Sequence, residues 1–283
     1  MKRILVPTDF SNNAYSALVY ASKLYAGESV QFTILHSFES QLSHLASRVD
    51  VGRSDDMISK LYKQSDEDGE KLLEKLKMDF QKDSHTYEVV STPTSLQKSI
   101  NTLVATEDVD LVVMGSKGRT GAEEVLMGST TIKITETLVG CPLLIVPYEV
   151  YFTIPLEIAF SSDFNEFYSL SKLKPITRLV RHFRSKINIV SVGKESDLTM
   201  EQRENLERFI DDLSEYDTEF HFLSKNESIS KTLHDFIDSR NIDLFSLIYH
   251  KHAFLKKLFR EPVVSRVGKH SHVPTLVIPV RYK

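Results

Sequence analysis

Short runs of apolar residues alternate along this chain with stretches in which apolar residues recur every three or four positions. The short runs are typical of strands that are buried on both faces of a parallel sheet. The longer stretches have the period of amphipathic helices. Because strands and helices that alternate in this way form β-α-β units, the pattern predicts an α/β fold with a parallel sheet and right-handed crossovers.

The first half of the chain contains five predicted strands and four predicted helices. The first helix follows a cap at Asp9 or Ser11 and stops at Gly27. Residues 37–59 have a thin apolar signal and are predicted to be a loop. The predicted strands cover residues 3–8, 30–36, 85–90, 110–114 and 142–146. The later helices cover residues 61–80, 95–106 and 129–139. The first of these three has a predicted buried stripe at Leu72, Leu73, Leu76 and Phe80.

The same pattern starts again after a connection at residues 147–155, so the chain contains an internal repeat. Both copies have corresponding segments at the first strand, the fourth strand and the fifth strand. The matched pairs are 4–10 with 158–164, 109–111 with 242–244, and 141–147 with 273–279. The repeat predicts two tandem domains, at residues 1–148 and 152–283, each with a five-stranded parallel sheet.

Composition narrows the class of protein. Hydrophobic residues make up 41% of the chain and charged residues 26%, which is ordinary for a soluble globular protein. No apolar run approaches the ~18 residues that span a bilayer, and no signal peptide is evident, so a cytoplasmic location is expected. The net charge of −4 is too small to predict a nucleic-acid or membrane partner. The single cysteine, Cys141, excludes an intrachain disulfide.

Glycine is concentrated in one place. Four of the 10 glycines lie within residues 115–128, between a predicted strand and a predicted helix. Glycines let successive backbone N–H groups point into one concavity, and the helix N-terminus adds further donors, so this arrangement suits phosphate. The alternative is a tight surface turn in which Ser129 or Thr130 is an ordinary helix N-cap.

Several motifs together resemble the universal stress protein family. The glycine-rich loop has the spacing Gly-x2-Gly-x9-Gly-Ser, the chain opens with Ile-Leu-Val-Pro-Thr-Asp-Phe-Ser, and the first half closes with Cys-Pro-x-Leu-Ile-Val-Pro. The second half resembles a diverged copy. The resemblance implies two adenine-nucleotide α-hydrolase-like, doubly wound domains related by pseudo-twofold symmetry.

The resemblance also implies a binding site for ATP, with ADP and AMP as alternatives and Mg²⁺ as a companion ion. Asp9 and Pro7 correspond to adenine contacts, as does Ser37, where the family often has valine and where the contact is through the backbone or weakened. Thr8, Ser116 and Arg119 belong to the same motifs. The remaining positions are Met114 and Gly115 for the ribose, and Gly118, Gly128, Ser129 and Thr130 for the phosphates.

The second half lacks these loop features. Residues 247–262 contain no glycine, and Pro262 has no backbone N–H, so we predict that the second domain does not bind ATP in the family manner. Residues 250–272 are basic, which suits an anion or an acidic partner but is more often a solvated face. Two His-x-His pairs in this segment suggest zinc. Nothing in the sequence brings the pairs together, so no metal site is predicted.

No catalytic constellation emerges from the sequence. Three functions stay open: an ATP-binding stress regulator, a scaffold or dimerisation module without physiological nucleotide, and a weak ATP hydrolase. The family resemblance implies dimerisation through strand five. Either two chains pair in this way as a homodimer, or residues 143–146 pair with 276–278 inside one chain as a pseudo-dimer.

Overall fold

The computed structural model describes residues 1–46, 54–81, 83–117, 127–148, 150–249 and 273–279. These residues divide into two compact units that join in the chain between Phe152 and Thr153. Each unit contains five parallel strands together with helices. The predicted α/β fold with parallel sheets is therefore confirmed.

The first unit has the strand order β3-β2-β1-β4-β5. Its central strand β1 pairs in parallel with β2, where Ile4 faces Phe32, and with β4, where Ile4 faces Leu111. The carboxyl ends of β2, β1 and β4 therefore lie side by side at one edge. The elements are β1 (Lys2–Thr8), α1 (Asn12–Leu24), β2 (Val30–Ser37), α2 (Glu39–Ala46), α3 (Ser54–Asp79), β3 (Thr86–Thr92), α4 (Leu96–Thr106), β4 (Leu111–Gly115), α5 (Ser129–Thr137) and β5 (Leu143–Val146).

The second unit has the strand order β10-β9-β6-β7-β8. Read from its other end, as β8-β7-β6-β9-β10, this is the order of the first unit, with β6 in the central place of β1. Ile158 on β6 faces Ile187 on one neighbour and Leu244 on the other. The elements are β6 (Glu157–Ser161), α6 (Leu170–Phe183), β7 (Lys186–Val192), a 3-10 helix (Glu195–Asp197), α7 (Met200–Asp212), β8 (Thr218–Leu223), α8 (Ile229–Ser239), β9 (Leu244–Tyr249) and β10 (Thr275–Pro279).

Burial differs from strand to strand. In β1, consecutive residues Ile4, Leu5 and Val6 are each at most 1% exposed, as expected for a central strand covered on both faces. The strand β3 instead alternates between exposed and half-buried side chains along most of its length. Continuous apolar runs in the sequence correspond to fully buried strands, and β5, whose four residues are all buried, is one of them. No helix in the described parts of the chain is long and apolar enough to cross a membrane.

The prediction of a loop at residues 37–59 is wrong in part. Residues 39–46 form α2, and α3 begins at Ser54, well before the predicted start. The described side chains of α2 are exposed or half-buried, so α2 carries little of the apolar period on which the prediction relied. An acidic residue in its first turn and a histidine in its last turn still complement the helix dipole. In α3, Leu76 is buried, but Leu72, Leu73 and Phe80 are only half-buried.

Two equivalent aspartates hold the starts of the sheets together. Asp110 donates its N–H to the Arg3 carbonyl at 2.9 Å, and its Oδ2 accepts the Arg3 N–H at 3.0 Å. Asp243 donates its N–H to the Glu157 carbonyl at 2.8 Å, and its Oδ2 accepts two backbone N–H groups, from Leu156 and Glu157, both at 2.9 Å. Each aspartate thus fixes the register of the strand that follows it.

Replacing Asp243 with alanine is expected to lower the free energy of unfolding by about 1–2 kcal/mol, because two N–H groups lose a charged acceptor. Asp110→Ala should also lower stability, because the Arg3 N–H loses its acceptor. Urea denaturation monitored by circular dichroism measures both. Asp243→Asn keeps an acceptor oxygen and should recover part of the loss. An unchanged free energy of unfolding in Asp243→Ala would contradict this account.

Candidate functional site

Most of the sequence-predicted site residues lie at the carboxyl edge of the first sheet. Pro7 and Thr8 end β1, Asp9 follows them, and Ser37 ends β2. Because these strands are parallel neighbours of one sheet, their carboxyl ends meet at one edge. The remaining described positions are Met114 and Gly115 at the end of β4, Ser116 directly after it, and Gly128, Ser129 and Thr130 at the start of α5. Gly118 and Arg119 lie outside the described residues.

The Asp9 carboxylate is held by a tight turn between β1 and α1. Phe10 has a positive φ of 58°, a conformation that is uncommon for a bulky residue. Two side chains support it: Thr8 Oγ1 accepts the Phe10 N–H at 2.9 Å, and Asp9 Oδ1 accepts the Ser11 N–H at 3.1 Å. Ser11 is the N-cap of α1, and its Oγ accepts the Ala14 N–H at 3.3 Å. The turn therefore fixes the direction of the carboxylate at the sheet edge.

A buried hydrogen-bonded chain supports this turn from below. The Phe10 ring packs on His36, with 4.6 Å between the ring centroids. His36 Nδ1 lies 2.6 Å from Ser65 Oγ, which lies 2.6 Å from Ser91 Oγ. These contacts join α3 to the ends of β2 and β3. They position the Asp9 turn through the Phe10 ring.

Ser37 uses its hydroxyl within the protein. Its Oγ donates to the Thr94 carbonyl at 2.7 Å. A hydroxyl has a single proton to donate, so in this arrangement the Ser37 side chain is not a donor to a ligand. A donor contact from Ser37 to a ligand would therefore come from its backbone.

The two ends of the glycine-rich segment are joined where β4 meets α5. The Gly128 N–H donates to the Ser116 carbonyl at 2.7 Å, and Thr131 Oγ1 donates to the Gly115 carbonyl at 3.1 Å. The N-cap of α5 is Gly128, and within the part of the chain that the structure describes no side-chain cap is formed at this helix start. The alternative that Ser129 or Thr130 is an ordinary N-cap is therefore wrong, and both side chains are exposed.

The start of α5 consequently has the properties of an anion-binding helix terminus. The first N–H groups of a helix have no partner within the helix, and the helix dipole makes this end positive. Without a side-chain cap, these donors suit a phosphate group. The start of α5 follows β4, whose carboxyl end lies beside that of β1.

Sequence reasoning missed Asn13, in the first turn of α1. Its side chain is 4% exposed, and its Nδ2 donates to the Lys117 carbonyl just beyond β4. A Cβ on Gly115 would lie 2.7 Å from that nitrogen, so only glycine leaves room for the amide. One signal was present: Asn13 lies four positions before the buried Ala17, on the apolar stripe of the helix.

The second unit repeats the turn at Asp163. Phe164 has a φ of 55°, Ser162 Oγ accepts the Phe164 N–H at 3.1 Å, and Asp163 Oδ1 accepts the Asn165 N–H at 3.1 Å. The Asn165 side chain also donates to Asp163 Oδ2 at 2.6 Å. Both oxygens of this carboxylate therefore accept hydrogen bonds from the protein.

Helix α7 is hydrogen-bonded to the turn in the second unit. Gln202 Nε2 donates to the Asp163 carbonyl at 2.8 Å, and Asn205 Nδ2 donates to the Phe164 carbonyl at 3.0 Å. The Phe164 ring is 2% exposed and contacts the rings of Phe209 and Phe222. In the second unit, side chains of α7 thus hydrogen-bond to the backbone of this turn, while the Asp163 side chain is exposed.

No group of three or more metal-ligating side chains that could hold a metal ion occurs among the described residues. The His-x-His pairs and the basic segment at residues 250–272 lie outside them.

Comparison with known proteins identifies the chain. The profile of the universal stress protein family matches residues 1–147. The chain belongs to the universal stress protein family. Among its relatives are two universal stress proteins of Methanocaldococcus jannaschii. One is 25% identical over 138 aligned residues, and the match covers 46% of this chain and 85% of the relative. The other is 26% identical over 145 residues, which is 51% of this chain and 81% of the relative.

Solved structures extend the likeness to the whole of this universal stress protein. A universal stress protein of Archaeoglobus fulgidus has a TM-score of 0.65 at 15% identity and covers 98% of each chain. The cytoplasmic domain of a prokaryotic cation chloride cotransporter has a TM-score of 0.53 at 12% identity, covering 98% of this chain and 94% of the other. At these identities the likeness concerns the fold alone, and that fold includes both units.

Proposed function

We propose that this universal stress protein binds ATP in a first domain, residues 1–148, and acts as a nucleotide-responsive stress regulator in the cytoplasm. One observation carries the proposal: α5, whose N-cap is a glycine, begins after β4, at the same sheet edge as the Asp9 carboxylate that accepts the Ser11 N–H. A carboxylate and an anion-binding helix terminus are complementary to the two ends of an adenine nucleotide.

Each group has a stated role in the proposed site. The Asp9 carboxylate accepts the adenine amino group, next to Pro7 and Thr8. Ser37 meets adenine through its backbone. The ribose lies at Met114 and Gly115, and the phosphates lie along the loop and the first turn of α5, with Mg²⁺ as their companion ion. This last group comprises Ser116, Gly118, Arg119, Gly128, Ser129 and Thr130. ADP and AMP share the adenine and ribose contacts and are weaker ligands in this proposal.

The second domain, residues 152–283, binds no nucleotide in this proposal. Asp163 already accepts hydrogen bonds at both carboxylate oxygens, and Gln202 donates a hydrogen bond to its backbone carbonyl. The sequence has no glycine between residues 247 and 262, so this segment lacks the residue type that forms a phosphate-binding concavity most readily. These features support a single nucleotide per chain.

Isothermal titration calorimetry of the purified chain with ATP and Mg²⁺ tests the proposal. We expect one ATP per chain. A differential scan with ATP at 100 times its Kd should show the native state stabilised by about 2.7 kcal/mol, because the ligand binds only that state. No heat of binding at millimolar ATP would overturn the proposal in favour of a scaffold without nucleotide. Two ATP per chain would overturn the assignment of the second domain.

Binding, with the nucleotide as a conformational signal, is proposed in preference to hydrolysis. Timed chromatography of ATP incubated with the protein separates the two. Hydrolysis that is abolished by Asp9→Ala would make the chain a weak ATPase. Hydrolysis that is insensitive to this change would indicate a contaminating enzyme.

We also propose an intramolecular pseudo-dimer through strand five of each domain, β5 in the first and residues 276–278 of β10 in the second. Their matching Pro-x-Leu-x-x-Pro sequences support equivalent roles for the two strands, because the family resemblance assigns pairing to this position. Light scattering of the purified chain tests the proposal against a homodimer. A mass near 32.4 kDa supports internal pairing, and twice that mass supports pairing between chains.

A further inference from the structure

The Asn13 carboxamide fills the space between the first turn of α1 and the residues that follow β4. Its Nδ2 donates to the Lys117 carbonyl. A Cβ on Gly115 would lie 2.7 Å from Nδ2, 2.8 Å from Cγ and 3.0 Å from Oδ1. All three amide atoms are therefore packed against Gly115. One side chain thus fixes the backbone at both Gly115 and Lys117.

This amide is only half satisfied. Asn13 Oδ1 is buried and accepts no hydrogen bond among the residues that the structure describes. A buried acceptor without a donor destabilises the fold, whereas an apolar side chain of the same shape carries no such penalty. Leucine has the same number of side-chain heavy atoms as asparagine and the same branch at Cγ. Stability alone therefore does not explain asparagine at this position, and such exceptions call for a functional reason.

Asn13 also connects the two ends of the proposed nucleotide site. The turn that holds Asp9 leads directly into its helix, through the hydrogen bonds from Ser11 N–H to Asp9 and from Ala14 N–H to Ser11. The Asn13 side chain reaches from this first turn to Lys117, at the start of the phosphate end. The distance between the adenine end and the phosphate end is thereby set by one short, buried side chain.

We infer that Asn13 is a positioning residue that makes the site selective for adenine nucleotides with two or more phosphates over AMP. The inference rests on the proposed function. Asn13 holds the backbone at Lys117 in the place that the outer phosphates need when the base lies at Asp9. The ribose position Gly115 is also held by the pairing of β4 with β5, where it faces Val146, whereas Lys117 lies beyond the strand. A loss of Asn13 therefore affects ATP and ADP more than AMP.

Calorimetric titration of the full chain and of Asn13→Leu with ATP, ADP and AMP tests the inference. In the variant we expect the affinity for AMP to be unchanged within about twofold and the affinity for ATP to fall about tenfold, equivalent to ~1.4 kcal/mol. The melting temperature of the ligand-free variant measures the structural cost of removing the bond to the Lys117 carbonyl, so that cost is separated from the change in nucleotide selectivity. Asn12→Leu, at the exposed neighbouring position, should keep the wild-type ratio of ATP to AMP affinity.

The outcomes distinguish this inference from the proposed function. Wild-type protein that binds no ATP overturns both. Wild-type protein that binds ATP, with an unchanged ratio of ATP to AMP affinity in Asn13→Leu, overturns the inference alone. The same holds if both nucleotides weaken equally, because that is the result of a purely structural role. If the leucine variant does not fold cooperatively, Asn13→Ala provides the same comparison with a smaller side chain.

Discussion

Replacing Asp9 with alanine is expected to weaken ATP binding on the order of 50-fold, because a hydrogen bond to a charged group contributes roughly 1.5–3 kcal/mol. The change removes the proposed acceptor for the adenine amino group. It also removes the acceptor of the Ser11 N–H, which holds the turn at the sheet edge. Calorimetric titration with ATP measures the loss. Asp9→Asn retains an acceptor oxygen and should have an intermediate affinity.

The chain provides its own matched control for this experiment. Asp163 occupies the same turn in the second unit, with the same positive φ at the following phenylalanine. Asp163→Ala should leave ATP affinity within about twofold of wild type, since that carboxylate is engaged by Asn165 instead of a ligand. A comparable loss of affinity in both variants would contradict the assignment of the site to the first domain.

The comparison of the two turns separates a structural role of aspartate from a binding role. In both units the carboxylate accepts the N–H two residues further along, so the turn itself needs an acceptor there whether or not a ligand binds. The surroundings differ, because Gln202 and Asn165 occupy the second turn. A backbone turn that both repeats share therefore does not imply two binding sites.

The sequence was sufficient for features that depend on local pattern. The apolar run of β1 predicts a strand buried on both faces, and Ile4 to Val6 are indeed buried there. The repeat predicts matching elements, and Asp110 and Asp243 hold equivalent strand starts. Parallel strands have their carboxyl ends at one edge of the sheet, so the placement of Asp9 and Gly115 at the same edge could be predicted as well.

Features that depend on distant contacts could not be predicted. Asn13 and Lys117 meet across more than a hundred residues of chain, and no periodicity records that contact. The hydrogen bonds from α7 to the turn at Asp163 depend in the same way on distant side chains, those of Gln202 and Asn205. Helix α2 was missed for another reason, since its stability comes from local backbone bonding and end charges with few buried side chains.

Replacing Gly115 with alanine is expected to lower the free energy of unfolding by about 1–3 kcal/mol, the usual cost of overpacking a buried position. The new methyl group would lie 2.7 Å from Asn13 Nδ2, a distance that real Cβ atoms do not tolerate. The amide must move, and it then loses its bond to the Lys117 carbonyl. ATP affinity should fall together with stability. Chemical denaturation and calorimetric titration measure the two effects separately.

A double-mutant cycle shows whether Asn13 is the cause. In the Asn13→Ala background the space beside residue 115 is open, so Gly115→Ala should cost at least ~0.5 kcal/mol less than in the wild type, the range in which residues in contact are coupled. Additive losses would mean that the new methyl group collides with something other than Asn13. Coupling, in contrast, would explain the first glycine of the loop by the neighbouring side chain. The first glycine of the motif would then reflect packing at Gly115, and phosphate binding would be left to the later residues of the motif.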